Sequence, residues 1–63
     1  MSGSAVTEMQ NSLNNLGFKC VISGKYDTAT IQAVKEFQIK YQLTVDGVAG
    51  PITRTLILYL AGD

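Results

Sequence analysis

The chain carries the stretch Ile22-Ser23-Gly24-Lys25-Tyr26-Asp27-Thr28-Ala29-Thr30 and answers it further on with Val45-Asp46-Gly47-Val48-Ala49-Gly50-Pro51-Ile52-Thr53. In this register Gly24 falls on Gly47 and Thr30 on Thr53, while Asp27-Thr28 falls on Gly50-Pro51. Each copy reads as an apolar residue, a glycine turn, two further residues, a helix cap, and a threonine at the third helical position. The glycines can take positive φ, and a threonine hydroxyl in the first helical turn can bond loop backbone that is otherwise orphaned. Downstream, Ala33, Val34 and Phe37 fall on Leu56, Ile57 and Leu60, so the two helices present equivalent apolar faces. The pattern predicts two turn-then-helix units packed about a preceding helix.

That preceding helix is legible as well. Val6, Met9, Leu13 and Leu16 recur at spacings of three and four with polar residues between them, which predicts a helix from about Ser4, as N-cap, to Leu16, ended by Gly17. Asp27 is the expected N-cap of a second helix running to about Tyr41 along Ile31, Val34, Phe37, Gln38 and Tyr41. Pro51 suits the first position of a third helix reaching about Leu60, because its missing amide proton has no intrahelical partner there anyway. Val21 and Ile22 are expected to be extended and half-buried, and Val21 and Val45 are placed to close the loops through a bridge of one or two residues. The expected fold is therefore all-α, a small three-helix bundle with an internal turn-helix pseudo-repeat. Met1–Ser4 is expected to be a flexible lead-in and residues 5–61 a single domain.

Composition narrows the function. With 63 residues the chain buries only about 60% of its unfolded surface, so residues that resemble loop punctuation have structural work to do. Five basic residues against five acidic ones leave no net charge, which argues against nucleic acid or an anionic membrane as partner. No histidine and a single cysteine leave no zinc cluster, no Ser-His or Cys-His pair and no intramolecular disulfide, so no catalytic residue, metal or cofactor is assigned. Asp27 and Asp46 give each turn one acid, whereas a hard-cation loop needs several oxygen ligands at short spacing. Cys20 fits a small, half-buried apolar role better than a redox one. No segment reaches the eighteen or so apolar residues of a membrane span, and the N-terminus lacks the basic start and apolar run of a signal peptide.

The ordered set Val6, Met9-Gln10, Leu13, Leu16-Gly17-Phe18, Gly24, Thr30, Ala33-Val34, Phe37-Gln38, Leu43, Val45-Asp46-Gly47, Gly50-Pro51 and Thr53 resembles the three-helix peptidoglycan-binding domain of bacterial cell-wall hydrolases. The likeness covers roughly Ala5 to Leu60. Three departures stand out: Ser23 and Asp27 replace the Asp and Gly of the family's first turn, Gln42 stands where Gly or Asn is usual, and Arg54 replaces a common Trp. The resemblance implies a non-catalytic module that binds peptidoglycan or a muropeptide and holds a linked catalytic domain on its insoluble substrate. It further implies a parent protein of the cell wall, the extracellular space or the periplasm, or one encoded by a phage.

Candidate ligand contacts follow. Lys25, Tyr26, Asp27 and Thr28 surround the first turn and helix start, where amide donors and an aromatic face suit an acetamido group or a peptide carboxylate. Gln38 and Asp46 complete the set. Each has a structural alternative: Tyr26 folded onto the core, Gln38 (like Gln10) bracing loop backbone, Asp46 bonding within its own turn. A different function is also open, a protein-interaction or structural module using the third helix. Ile52, Leu58 and Tyr59 lie off its core stripe and are the expected surface of a weak homodimer.

Overall fold

The computed structural model describes residues 3–62. Helix α1 spans Gly3–Asn15, α2 Thr28–Lys40 and α3 Pro51–Leu60, with no strand among the described residues. The all-α three-helix architecture is the expected one. Helix α1 packs against both α2 and α3 and is the shared element about which the two turn-helix units gather.

The core is Met9 and Leu13 from α1, Ala33, Val34 and Phe37 from α2, and Ile57 from α3. Phe37 is its centre. The Phe18 ring meets it edge-on at 5.6 Å between centroids, and Tyr41 tilts against it at 4.7 Å, a geometry that aromatic quadrupoles favour. Phe18 reaches this place because α1 ends in a tight left-handed cap: Gly17 has φ 93°, its amide donates to Asn14 O at 3.0 Å, and the Phe18 amide donates to Leu13 O at 2.9 Å. Helix α2 ends in the same way without a glycine. Gln42 has φ 57°, its amide donates to Ile39 O and the Leu43 amide to Gln38 O, so a side chain that prefers negative φ occupies the left-handed position.

Several expectations need correction. Ser4 is inside α1 rather than capping it, because the helix already includes Gly3; Met1 and Ser2 of the expected lead-in lie outside the described residues. Val21 and Val45 form no bridge. Both are exposed, Val21 at 64%, because the loop backbone takes its hydrogen bonds from glutamine and asparagine side chains instead of from a neighbouring strand. Ile22 is exposed as well. On α3, Ile57 is buried and Leu56 packs at the core edge, but Leu60 is 38% exposed, since the helix stops there and nothing covers its last turn. Leu58 is half-buried, in a hollow shared with Glu8, Asn11, Ser12 and Asn15 of α1.

Candidate functional site

The two turns are built on one plan. Gly24 and Gly47 sit at φ 74° and 73°. A buried glutamine from the preceding helix enters each turn. Gln10 Oε1 accepts from the amides of Ser23 and Gly24, both at 3.0 Å, while its Nε2 donates to Lys25 O at 3.0 Å and Thr30 Oγ1 at 2.7 Å. Gln38 Oε1 accepts from the amides of Asp46 and Gly47 at 3.2 and 3.1 Å, and its Nε2 donates to Val48 O at 3.1 Å and Thr53 Oγ1 at 3.3 Å. Donor for donor, the register of the sequence repeat is reproduced. A glutamine amide suits this task because one planar group offers both acceptor and donor capacity to a turn whose glycine amide it alone pairs.

The departures in the first turn find their reasons here. Ser23 Oγ accepts the Lys25 amide at 3.2 Å, as Asp46 Oδ1 accepts the Val48 amide at 2.9 Å. Asp27 Oδ1 caps α2 by accepting the Thr30 amide at 3.1 Å and the Thr30 hydroxyl at 2.9 Å, whereas Gly50 offers α3 no side-chain cap. The Thr30 amide, and then its hydroxyl, hold the Asp27 carboxyl below the usual carboxylate range; the Val48 amide and then Gln38 do so for Asp46.

The Tyr26 hydroxyl joins the two units, donating to Gly47 O at 2.6 Å and accepting the Ala49 amide at 3.1 Å. Burial is the main reason its phenol is pushed up from the ordinary value. Cys20 is clamped at its backbone by Asn14, whose Oδ1 accepts its amide at 2.8 Å and whose Nδ2 donates to its carbonyl at 3.0 Å. Burial, then the charge of Asp27, push the thiol up, away from reactivity.

Beside the second turn lies a groove of about 420 Å³. Its walls come from the end of α2 (Gln38, Gln42, Leu43), the turn (Thr44, Asp46, Val48, Gly50) and the first turn of α3 (Pro51, Ile52, Thr53). Of the sequence-predicted residues, Gln38 and Asp46 line it. Lys25, Tyr26, Asp27 and Thr28 stand together at the first turn, with Lys25 and Thr28 exposed and the polar groups of Tyr26 and Asp27 engaged in the hydrogen bonds above. Gln42, Thr44, Val48 and Ile52 line the groove as well, outside the set expected from the sequence. The non-glycine residue at the left-handed end of α2 is the sequence signal that marked Gln42 as unusual. A second, shallower apolar hollow on α3, lined by Pro51, Ile52, Thr55, Leu56 and Tyr59, shares Pro51 and Ile52 with this groove. Among the described residues no group of three potential metal ligands occurs.

The chain is similar to parts of two amidases and a carboxypeptidase. It is 39% identical to "Probable N-acetylmuramoyl-L-alanine amidase" of Bacillus licheniformis, with 95% of this chain and 19% of the relative covered. It is 38% identical to "Zinc D-Ala-D-Ala carboxypeptidase" of Streptomyces albus G, with 98% and 26% covered. The third is "N-acetylmuramoyl-L-alanine amidase CwlL" of Bacillus licheniformis, 44% identical over 82% of this chain and 15% of the relative. The chain thus spans about a quarter or less of each of these relatives. No solved structure gives a significant match. The family model described as "Putative peptidoglycan binding domain" matches residues 2–57, which take in both glutamine-braced turns and most of the third helix. With nearly its whole length accounted for in this way, the chain belongs to the peptidoglycan-binding domain family.

Proposed function

We propose that this chain, as one module over residues 5–61, binds peptidoglycan without altering it and holds a linked wall hydrolase or remodelling enzyme on its substrate. The family match over residues 2–57 is the observation that carries this reading. The similarity to two amidases and a carboxypeptidase, each several times longer than the matched region, supports a catalytic neighbour in the parent protein. A parent that works in the wall, outside the cytoplasmic membrane, follows from the same reading. Tethering raises the enzyme's effective concentration on an insoluble polymer, so weak binding by the module suffices.

Within this reading, muropeptide binds in the groove beside the second turn, where Gln42, Thr44 and Asp46 offer polar contacts opposite the apolar walls of Val48, Pro51 and Ile52. Lys25 and Thr28 form an alternative rim on the first turn. Co-sedimentation with purified sacculi separates them. Ile52→Glu and Thr44→Ala reduce retention if the groove is used; Lys25→Ala and Thr28→Ala reduce it if the first-turn rim is used. Wild-type protein that stays in the supernatant overturns the function.

A second reading rests on α3, where Ile52 and Tyr59 are 77% and 75% exposed. These two form the face on which a second copy would rest, while half-buried Leu58 belongs to the hollow beside α1. Sedimentation velocity decides it: a concentration-dependent dimer abolished by Tyr59→Ala supports the face, and a monomer at all concentrations removes it.

A further inference from the structure

The groove beside the second turn is neutral except at one point. Among its lining residues only Asp46 carries a formal charge. Its Oδ1 is held by the Val48 amide at 2.9 Å and by Gln38 Nε2 at 3.0 Å. Oδ2 has no hydrogen-bond partner among the described residues, and the side chain is exposed. The carboxylate is therefore fixed in orientation by one oxygen and presents the other. Lys35 crosses Gly47 from α2, its Cε 3.0 Å from where a Gly47 Cβ would stand, but it is not among the groove walls. The Val48 amide, and then the Gln38 side chain, hold the Asp46 carboxyl below the usual range, so it carries its negative charge at neutral pH. Opposite it, Pro51, Ile52 and Val48 offer apolar surface for a short alkyl chain.

The geometry points to a peptide ligand bearing an alkylammonium group, whose methylene stem lies along Ile52 and Pro51 and whose ammonium donates to Asp46 Oδ2. In peptidoglycan that chemistry belongs to the side-chain amine of the stem peptide's diamino acid before cross-linking acylates it, so the module would favour uncross-linked strands. This inference rests on the peptidoglycan-binding reading. A charged donor on a fixed carboxylate oxygen forms a stronger hydrogen bond than a neutral one, although solvent exposure keeps the gain modest.

The test is titration of the whole chain with N-acetyl-L-alanyl-γ-D-glutamyl-L-lysyl-D-alanine and with the same peptide acetylated at the lysine amine, followed by amide chemical shifts. Expected are shifts at Thr44, Asp46, Val48 and Ile52, and affinity lowered roughly fivefold by acetylation at low salt, a gap that narrows as salt screens the pair. Asp46→Asn, which keeps the Oδ1 acceptor for Val48, should bind both peptides equally. Thr44→Lys leaves every Asp46 hydrogen bond in place and should weaken the amine-bearing peptide more than the acetylated one, so that the gap between them narrows. Equal affinity of the wild type for both peptides, with groove amides shifting, overturns the ammonium preference and leaves peptidoglycan binding standing. Sacculus retention with no groove shift from either peptide also overturns it. Absence of both retention and shifts overturns the underlying function.

Discussion

The hydroxyl of Tyr26 lies 2.6 Å from the carbonyl oxygen of Gly47, so the first turn-helix unit is tied to the second by a side chain that the core already half covers. The phenolic oxygen of Tyr26 also accepts the Ala49 amide at 3.1 Å. Two backbone groups of the second turn thus depend on one phenol from the first, and the groove wall that follows inherits its position from that tie.

Tyr26→Phe keeps the ring and removes only the tie. Leaving a half-buried carbonyl and amide short of a partner should lower stability by about 1–2 kcal/mol, read as a shift in the urea midpoint with an unchanged slope. No change in midpoint would mean that water replaces the phenol without loss.

Gln10 and Gln38 play one part in two places, so their removal should have like consequences. Gln10→Leu strands the amides of Ser23 and Gly24, and Gln38→Leu strands the Gly47 amide and the Val48 carbonyl, so each leaves two turn groups unpaired and should cost about 3 kcal/mol, a large share of the stability of so small a domain. Thermal melts of both variants check this. A large loss for one and none for the other would contradict the equivalence of the turns.

Gln42 marks the reverse case. Its φ of 57° is a conformation glycine adopts freely and glutamine does not, so Gln42→Gly should stabilise the fold by roughly 0.5–1 kcal/mol after the added freedom of the unfolded chain is counted. A raised melting temperature is expected, and a lowered one would show that the glutamine side chain contributes contacts worth more than the strain.

Stability should also depend on pH at both extremes. Asp27 and Asp46 have folded-state pKa values below the ordinary 3.8, so the stability they bring is complete above that value and is lost as pH falls below it toward the folded values. The Tyr26 pKa is raised above the ordinary 10.0, so its contribution is present below that pH and is lost as pH rises through the folded value. Cys20, whose thiol is raised above the ordinary 9.0, acts in the same direction as Tyr26, so denaturant midpoints should fall at each end, and Tyr26→Phe should lessen the alkaline fall without abolishing it and leave the acid side unchanged.

Much of this architecture is legible in the residues themselves. Pro51 and Asp27 mark where helices begin, and the paired Gly24 and Gly47 announce equivalent turns because only a few residue types tolerate their backbone angle. Gln10 and Gln38 are readable as braces, since a short chain must pair every buried amide. The exposure of Val21, Ile22 and Leu60 is not legible, because apolar character alone does not say whether sixty-odd residues supply a partner surface. The groove is hidden for a related reason. Gln42, Thr44 and Ile52 share no local motif and meet only after α2, the turn and α3 have packed.

The most direct test of the account is a muropeptide titration of the isotopically labelled chain, read residue by residue. Binding at the groove predicts saturable amide shifts confined to Thr44, Asp46, Val48, Ile52 and their neighbours, with the core amides of α1 unmoved. Shifts clustered at Lys25 and Thr28, or no saturable shift at muropeptide concentrations where sacculi retain the protein, would contradict it.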